Sequence, residues 1–319
     1  MYWIRFAATR VVRLVLTLLV SSLIIFAALE LAPGSPLAAL SGGRTLSEEA
    51  IATLTERYHL DDPFLVRYGT WLGNAVTGDL GYSMQLRDDV TSVIASRAAV
   101  TLTLVLLAGL IVVVVGIGLG IGSGLRDRSS NLVTLGFTAV LAAMPAFVGA
   151  ALLLTVFSAT LGWFPALGTG DGSFGDLLYH LALPALALAL ASIAIVARVT
   201  RAAIREELGS EHVQTAVSRG IPRRIVVRRH VVRNAGIQIV TVSGLTIAAL
   251  IAVSAVVETA FAVNGLGSYL VKAATNKDLA VVQGISLVFV TAFVLVNVAI
   301  DVIANLIDPR IRHAEGAAQ

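Results

Sequence analysis

The ionisable side chains of this chain are few, and their spacing does not fit catalysis or metal binding. Charged residues make up 13% of the 319 residues. The five histidines form no HExxH or other metal-ligand spacing, and the lack of cysteine excludes disulfides and thiolate metal sites. A Walker-type phosphate loop requires Gly-Lys-Ser/Thr, whereas the lysines, Lys272 and Lys277, follow Val271 and Asn276. We therefore predict that the chain is not an enzyme and itself binds no metal or cofactor.

Acidic residues inside apolar runs could instead bind a transported proton or sodium ion. Glu30, Glu258 and Asp301 lie near the ends of such runs, whereas coupled carriers more often place ionisable groups near the membrane midplane. Asp301, with Asn297 one turn earlier, is the best candidate for a polar position in a transport path. We favour a place toward the cytoplasmic end, where Asp301 pairs with a basic residue or stays hydrated. A self-contained carrier or channel is the alternative interpretation, and a membrane scaffold is a third.

The composition is that of a polytopic membrane protein. The chain is 57% hydrophobic with a mean hydropathy of +0.87, and so few charges cannot cover a soluble surface. The formal charge of +3 does not indicate nucleic-acid binding. Apolar runs of about 20 residues cross a bilayer. We predict an all-α fold with six transmembrane helices, at Leu14–Leu29, Val100–Gly122, Leu132–Ala159, Leu181–Val196, Ile237–Val257 and Val281–Ile307.

Details within these runs predict how the helices begin and pack. The first run lacks a small-x-small cleavage site and is therefore expected to be a retained helix rather than a signal peptide. Pro145 predicts a kink, and Pro184 predicts the start of a helix. Gly116, Gly120 and Gly124 permit close contact between helices, and packing within one bundle is favoured over a dimer face. The short fourth run is expected to continue as a helix beyond the membrane.

The stretch between the first two runs, residues 32–98, is the most polar long segment and predicts a small helical subdomain outside the membrane. Ser47 is a candidate N-cap for a first helix, and Val66–Val76 is a possible second helix. The predicted organisation is a first transmembrane helix in residues 1–31, this subdomain, a five-helix core in residues 99–308 and a tail in residues 309–319.

The distribution of lysine and arginine predicts the topology. Sixteen of the 23 lie in segments that are cytoplasmic if the N-terminus is inside. Nine of these sixteen, all arginine, occur between Arg198 and Ala235, which we call the arginine-rich segment. We therefore expect both termini and this segment in the cytoplasm.

Within the arginine-rich segment, residues 210–220 predict a short helix. Gly209 can end the preceding helix in the left-handed conformation. Ser210 can cap the new helix, and Glu211 lies in its first turn. Gly220 can end it, and Pro222 stands where a following helix would start.

One face of this short helix carries Val213, Ala216, Val217 and Gly220 at helical spacing. Because a helix of about ten residues is marginal alone in water, this face must dock on something. The small residues Ala216 and Gly220 indicate a close-fitting surface. The residues alone leave two partners open, another protein and the lipid headgroups.

An apolar stretch after the fifth run, residues 258–274, is broken by Asn264, Gly265 and Gly267. It stays helix-like on both sides of the break, which favours a re-entrant turn and a short helix over a plain connecting loop. We expect this stretch to contribute to an outer gate through Glu258, Phe261, Asn264, Gly265 and Gly267.

The segment EHVQTAVSRGIPRRIVVRRHVVRNA resembles the cytoplasmic loop of ABC-importer permeases in the peptide-transporter branch. Ala216 and Gly220 match the second alanine and the glycine of the general EAA-x-x-x-G pattern, while Gln214 and Thr215 replace its Glu and first Ala. RRHVVRNA is similar to the Arg-His-x-x-Arg-Asn-Ala of the peptide branch. Further resemblances follow in the family's order over nearly the whole chain, in APGSP, YHLDDPFLVRYGTWLGNAVTGDLGYS, AMPAF, GWFPALG, HLALPALALAL, VVETAFAVNGLGSYLVKA and IDPRIR.

The resemblance implies a type I ABC-importer permease of the bacterial cytoplasmic membrane that forms half of a translocation path. Its expected partners are a homologous second permease in a heterodimer, two ATPase domains that bind ATP and Mg, an extracytoplasmic substrate-binding protein and membrane lipid, with no nucleic acid. Di- and oligopeptides are the family's commonest cargo, and relatives carry nickel, glutathione or haem. The residues expected to couple to the ATPase are Glu211, His212, Val213, Thr215, Ala216, Arg219 and Gly220.

Overall fold

The computed structural model describes residues 2–31, 47, 49, 52, 55, 61–83, 85–126 and 132–307, and these are mostly helical. The chain divides into two compact units, Met1–Leu102 with Ala262–Val294 and Thr103–Phe261 with Leu295–Gln319. The predicted all-α class is therefore confirmed.

The elements of the described residues are, in chain order, α1 (Tyr2–Glu30), α2 (Phe64–Val76), β1 (Tyr82–Ser83), β2 (Asp88–Asp89), α3 (Val90–Ile111), α4 (Ile117–Gly124), α5 (Leu132–Ala143), α6 (Ala146–Leu153), α7 (Phe174–Leu208), α8 (Glu211–Ser218), α9 (Arg223–Val226), α10 (Val232–Ala260), α11 (Leu266–Thr275) and α12 (Leu279–Ile307). Three π-helical stretches in this part of the chain continue α3, α6 and α9 without a break, at Val112–Gly116, Leu154–Thr160 and Val227–Val231. The strands form one antiparallel hairpin, in which Tyr82 pairs with Asp89.

Five helical spans in the described residues are long and apolar enough to cross a membrane, and a bent pair makes a sixth if it counts as one. Two of them, Phe174–Leu208 and Arg223–Ala260, have 35 and 38 residues. At about 1.5 Å per residue, such helices exceed the hydrocarbon thickness of about 30 Å. Their polar ends therefore project into water, as expected for the fourth run. The other spans are Ala8–Glu30, Val90–Gly124 and Leu279–Ala304, with the bent pair Leu132–Ala143 and Ala146–Thr160.

Pro145 ends one helix and starts another. The two helices of the bent pair meet at 106°, and Pro145 takes extended angles of φ −61° and ψ 142°. Its carbonyl accepts hydrogen bonds from the N–H groups of Val148 and Gly149, which restarts the helix. The kink predicted at Pro145 is thus a complete break.

The prediction that Pro184 starts a helix is wrong. Helix α7 already begins at Phe174, where the hydroxyl of Ser173 accepts a hydrogen bond from the N–H of Asp176 at 3.2 Å. Pro184 lies inside this helix. Membrane bundles tolerate such a proline because neighbouring groups can satisfy the carbonyl that it leaves unpaired. The signal overlooked in the sequence is the Ser173–Asp176 capping pair.

Helix α2 confirms the predicted second helix of the polar stretch and begins two residues earlier, after Pro63. It packs on α1 through aromatic rings, because Phe26 lies with its ring centroid 5.5 to 5.7 Å from those of Phe64, Tyr68 and Trp71. The first predicted helix, after Ser47, falls mostly outside the described residues.

The remainder of the first unit packs around α3, α11 and α12. Val90, Val281 and Ile285 are fully buried in its apolar cluster. Beside this cluster, the hydroxyl of Ser83 in the hairpin donates a hydrogen bond to the buried carboxylate of Asp278, which precedes α12. The hairpin was not predicted, since two-residue strands leave no alternating pattern to detect.

Glycines on one face of α4 bring this helix against α7 in the second unit. An ideal Cβ atom on Gly120 would lie 2.4 Å from Thr200 Cβ and 2.8 Å from the carbonyl oxygen of Ala197. The same close approach recurs one turn away on either side, at Gly116 against Val196 and at Gly124 against Ile204. The prediction of packing within one bundle is confirmed for this stripe.

The substitution Gly120→Ala is expected to lower the free energy of unfolding by about 2 kcal/mol, because the added Cβ has no space unless α4 or α7 moves. The matched control is Gly118→Ala, where nothing lies within 4 Å of the added atom. There the higher helix propensity of alanine predicts unchanged or slightly greater stability. Thermal unfolding of both purified variants in the same detergent measures the difference, and equal midpoints would contradict the packing account.

Candidate functional site

The short helix predicted in the arginine-rich segment is present as α8, Glu211–Ser218. Gly209 and Ser210 join it to α7, and Arg219 to Pro222 join it to α9. A turn at each end therefore fixes where the helix begins and ends.

The two glycines beside α8 differ in conformation. Gly209 has φ −82° and ψ −7°, which is right-handed, so the left-handed ending predicted for this residue is wrong. Gly220 has φ +77° and confirms the predicted left-handed ending. Next to it, the N–H of Ile221 donates to the carbonyl of Ala216 at 3.2 Å, and the Gly220 N–H donates to Val217 at 2.9 Å. This is the Schellman arrangement of a helix C-terminus.

Ser210 occupies the N-cap position of α8, yet its side chain does not cap the helix. Its hydroxyl donates instead to the carbonyl of Glu207 at 2.6 Å. The amide of Gln214 donates to the carbonyl of Gly209 at 3.1 Å. Both side chains therefore bind the end of α7 to the start of α8. Gln214, which stands where the family pattern has Glu, therefore makes a hydrogen bond within the turn between α7 and α8.

The predicted apolar face of α8 divides into a buried and an exposed part. Val213 and Ala216 are 3% and 6% exposed and belong to an apolar cluster of the chain itself, with Ile204, Val226, Val231 and Ala235. Val217, on the same predicted face, is 58% exposed, and an added Cβ on Gly220 would meet nothing within 4 Å. The inner face of α8 is thus covered by the chain's own side chains, and the assignment of Val213 and Ala216 to ATPase coupling stays a prediction.

The outer surface of α8 is exposed. It carries one large apolar side chain, Val217, among polar and charged groups of both signs. Such a mixed surface of one exposed aliphatic and several hydrogen-bonding groups is typical of a protein contact rather than of a helix lying on lipid, which would show a continuous apolar side. The exposed residues are Glu211, His212, Gln214, Thr215, Val217, Ser218 and Arg219.

The arginines beside α8 are anchored to the end of α4. One guanidinium nitrogen of Arg205 donates to the carbonyl of Arg126 at 3.1 Å, and one of Arg223 donates to the carbonyl of Leu125 at 3.4 Å. The carbonyls at a helix C-terminus carry partial negative charge and attract cations. The arginine-rich segment is therefore attached to α4 as well as to α7 and α10.

The residues predicted at an outer gate are mostly buried. Glu258 and Phe261 are 0% and 1% exposed at the end of α10, and the N–H of Gly168 donates to the Phe261 carbonyl at 3.0 Å. In the other unit, Gly265 precedes α11, whose buried residues include Gly267. The predicted turn and short helix are present, at Phe261–Gly265 and Leu266–Thr275. Re-entry into the membrane and gating stay predictions.

The polar pair Asn297 and Asp301 lies on α12, one turn apart and half-buried. Asp301 is close to the end of this helix, which the structure describes to Ile307. The expected position of this pair near the cytoplasmic face of the membrane stays a prediction.

An apolar cavity of about 410 Å³ opens beside the break at Pro145. Its fifteen lining residues come from α6, α7, α10 and the break, and none of them is charged. Ser192 and Thr246 provide the hydroxyl groups among them. Within the described residues, no group of three or more metal-ligating side chains was found.

Comparison with known proteins identifies the class to which this arrangement belongs. In fold, the chain is similar to a chain of the inward-facing MetNI methionine ABC transporter, with a TM-score of 0.54 at 16% identity over 68% of this chain and 96% of that one. Residues 116–313 match the binding-protein-dependent transport system inner membrane component, and residues 3–105 match the N-terminal part of such components.

Curated relatives cover nearly the whole chain. A peptide transport system permease protein of Brucella abortus is 37% identical over 95% of this chain and 98% of its own length. The Pseudomonas aeruginosa di/tripeptide permease DppB is 33% identical, over 97% of this chain and 98% of the relative. The Salmonella typhimurium oligopeptide permease OppB is also 33% identical, over 97% and 100%.

The fold is thus that of a type I ABC-importer permease. The chain belongs to the family of binding-protein-dependent transport system inner membrane components. The resemblance to ABC-importer permeases of the peptide branch is confirmed by these matches.

The conformational difference between the two glycines beside α8 predicts different responses to alanine. Gly220→Ala is expected to destabilise α8 by about 1 kcal/mol, because a side chain disfavours the left-handed region. Gly209→Ala is the matched control and should be nearly neutral, since its angles are helical and the nearest non-neighbouring atom lies 3.5 Å from the added Cβ. Amide hydrogen exchange across α8 measures the effect, and faster exchange in both variants alike would contradict it.

Proposed function

We propose that this chain is the permease subunit of an ATP-driven importer of di- and oligopeptides, and that α8 is the coupling helix through which an ATPase moves it. The observation that carries the proposal is the division of α8 into an inner face covered by the chain's own cluster and an outer face open to a partner. The names of relatives that match over nearly the whole chain supply the cargo class.

The inner face gives α8 a firm connection to the spans. Val213 and Ala216 pack against Ile204 on α7 and Ala235 on α10. Both of these helices run from the arginine-rich segment into spans that are long and apolar enough to cross a membrane. A displacement of α8 therefore moves the ends of two spans together, as in a rigid-body transition driven by binding in one of two states.

The outer face supplies the proposed contact with the ATPase. Val217 would fill an apolar recess, while Thr215, His212 and Arg219 would form hydrogen bonds or ion pairs at its edge. Glu211 lies in the first turn and is exposed, so that it can take the place of the family's missing Glu in such contacts. Among the seven residues assigned to coupling, Val213 and Ala216 act as anchors, and Gly220 shapes the end of the helix.

The remaining parts of the assembly follow from the family. The proposed transporter contains a homologous second permease, two cytoplasmic ATPase domains that hold ATP and Mg, and an extracytoplasmic substrate-binding protein. It lies in the bacterial cytoplasmic membrane with both termini inside, as the distribution of lysine and arginine supports. The proposed domain boundaries, at residues 31, 98 and 308, keep the spans of the core in one segment.

The uncharged cavity beside Pro145 suits a path for variable cargo. Peptides differ in side-chain charge, and a fixed charge in the path would favour some over others. We place the outer gate at Glu258, Phe261 and the turn at Asn264 to Gly267. Asn297 and Asp301 are placed at the hydrated cytoplasmic end of the path. Labelling of single cysteines from Glu258 to Ala274 tests the gate, because uniform labelling would indicate a plain loop.

The proposed docking of α8 predicts a side-specific cross-link. Because the chain contains no cysteine, Val217→Cys provides a single thiol at an exposed position. In the assembled transporter it is expected to cross-link to the ATPase subunit through a short bifunctional thiol reagent, with a yield that changes when ATP binds. The matched control is Val76→Cys, an 80% exposed valine of α2, which is expected outside the membrane and should not cross-link to the ATPase.

A negative charge at position 217 tests whether α8 couples to the ATPase. Val217→Glu should leave membrane insertion unchanged, since the side chain is exposed, but should lower substrate-stimulated ATP hydrolysis by about tenfold through loss of an apolar contact. Unchanged stimulation, or equal cross-linking from both cysteine variants, would contradict the coupling role of α8.

A further inference from the structure

The RRHVVRNA stretch, Arg228–Ala235, packs back on α8. Val231 and Ala235 are buried in the same apolar cluster as Val213 and Ala216. They are spaced by four residues and therefore lie on one face of their helix. The inner face of α8 packs against this face.

A group of polar contacts lies at the edge of this apolar packing surface. The side-chain amide nitrogen of Asn234 donates a hydrogen bond to Glu207 Oε1 at 2.9 Å. His212 Nε2 lies 2.9 Å from the same oxygen and 3.1 Å from the Asn234 nitrogen. Both contacts to Oε1 are hydrogen bonds when the imidazole proton is on Nε2. One carboxylate oxygen at the end of α7 thus accepts from side chains on α8 and α10.

We propose that Glu207 and Asn234 are positioning residues of the coupling helix, and that together with His212 they form a clamp that sets the orientation of α8 between α7 and α10. The proposal rests on the coupling function given above and adds to it the residues that hold the helix in place. In this arrangement, the asparagine of the RRHVVRNA stretch connects two spans to the helix that an ATPase moves.

The clamp constrains the orientation of α8 in addition to the apolar contacts of its inner face. Val213 and Ala216 hold α8 against the apolar cluster, and the clamp adds directional hydrogen bonds that these apolar contacts do not provide. The clamp acts at the N-terminal turn of α8, where Ser210 gives no side-chain cap. His212 and Glu207 are 46% and 20% exposed, so water competes for these hydrogen bonds and each is individually weak. The three groups together define an orientation rather than a large stabilisation.

An exchange of donor and acceptor tests the clamp. Asn234→Asp keeps the size of the side chain but places a second carboxylate against Glu207, and the repulsion should release α8. Combining it with Glu207→Gln moves the acceptor to position 234, where the new glutamine amide and His212 can both donate to it. The double variant should therefore restore what the single variant loses, which a loss of general stability would not predict.

The measurement uses a spin label at Ser218→Cys, an exposed position that is not among the proposed coupling residues, in the assembled transporter in nanodiscs. ATP hydrolysis is measured in the same variants without the label. Asn234→Asp is expected to raise the mobility of the label and to lower substrate-stimulated ATP hydrolysis about threefold to tenfold. The double variant should recover both. Asn234→Ala, which removes the donor without adding charge, should change both in the same direction by less.

Two matched controls lie beside the clamp. Gln238→Glu makes the same amide-to-acid change at an exposed position one turn further along α10, and Glu206→Gln neutralises the exposed neighbour of Glu207. Neither substitution should change the mobility of the spin label. Unchanged mobility in Asn234→Asp, an equal change in Gln238→Glu, or no recovery in the double variant would overturn the clamp. If mobility rises and recovers while hydrolysis stays constant, the clamp stands and the coupling role of α8 is contradicted.

Discussion

An eight-residue helix in water cannot hold its own shape, and the burial of Val213 and Ala216 in the chain's own cluster is the interaction on which the structure of the arginine-rich segment depends. Because the inner face is already covered, α8 moves with the spans and not as a loose loop. Only its outer face is exposed. In the proposed function, the same burial separates the anchoring of the helix from its recognition by the ATPase, on residues one position apart.

The long helices extend this connection into the membrane. Helix α7 runs without a break from Phe174 to Leu208, and the glycine stripe of α4 lies against it too closely for any side chain between them. Interiors packed at this density change by discrete repacking and not by gradual deformation. A displacement of the Leu208 end of α7 is thus expected to move α4 with it.

Much of the fold could be predicted because lipid demands long apolar runs and satisfied backbone groups. The short helix at residues 210–220 was also predictable, from Gly220 and the acid in the first turn. The errors have local causes. Gly209 is not left-handed, because the Ser210 hydroxyl and the Gln214 amide already bind the carbonyls at the end of α7. Composition cannot show which side of a helix its own chain will cover, so the burial of Val213 and Ala216 in the chain's own cluster was not predicted.

The clamp residues were missed for a related reason. Glu207 and Asn234 are 27 residues apart in sequence, and no periodicity within one helix relates them. Their meeting depends on the path of the chain through α8 and α9. Resemblance pointed to RRHVVRNA as a motif, whereas only the tertiary structure assigns its asparagine to a contact.

The π-helical stretch Val227–Val231 has a consequence for how this segment tolerates change. Val226 and Val231 are both buried in one cluster although they are five residues apart, a spacing that an α-helix would place on different sides. The wider turn thus accommodates one extra residue while the arginine-bearing start of the helix and the rest of it keep their alignment. Loss of one residue there would restore regular α-helix and leave the two valines four residues apart, which still places them on one side. Insertion of a further residue would instead rotate the start of the helix away from the cluster by about 100°.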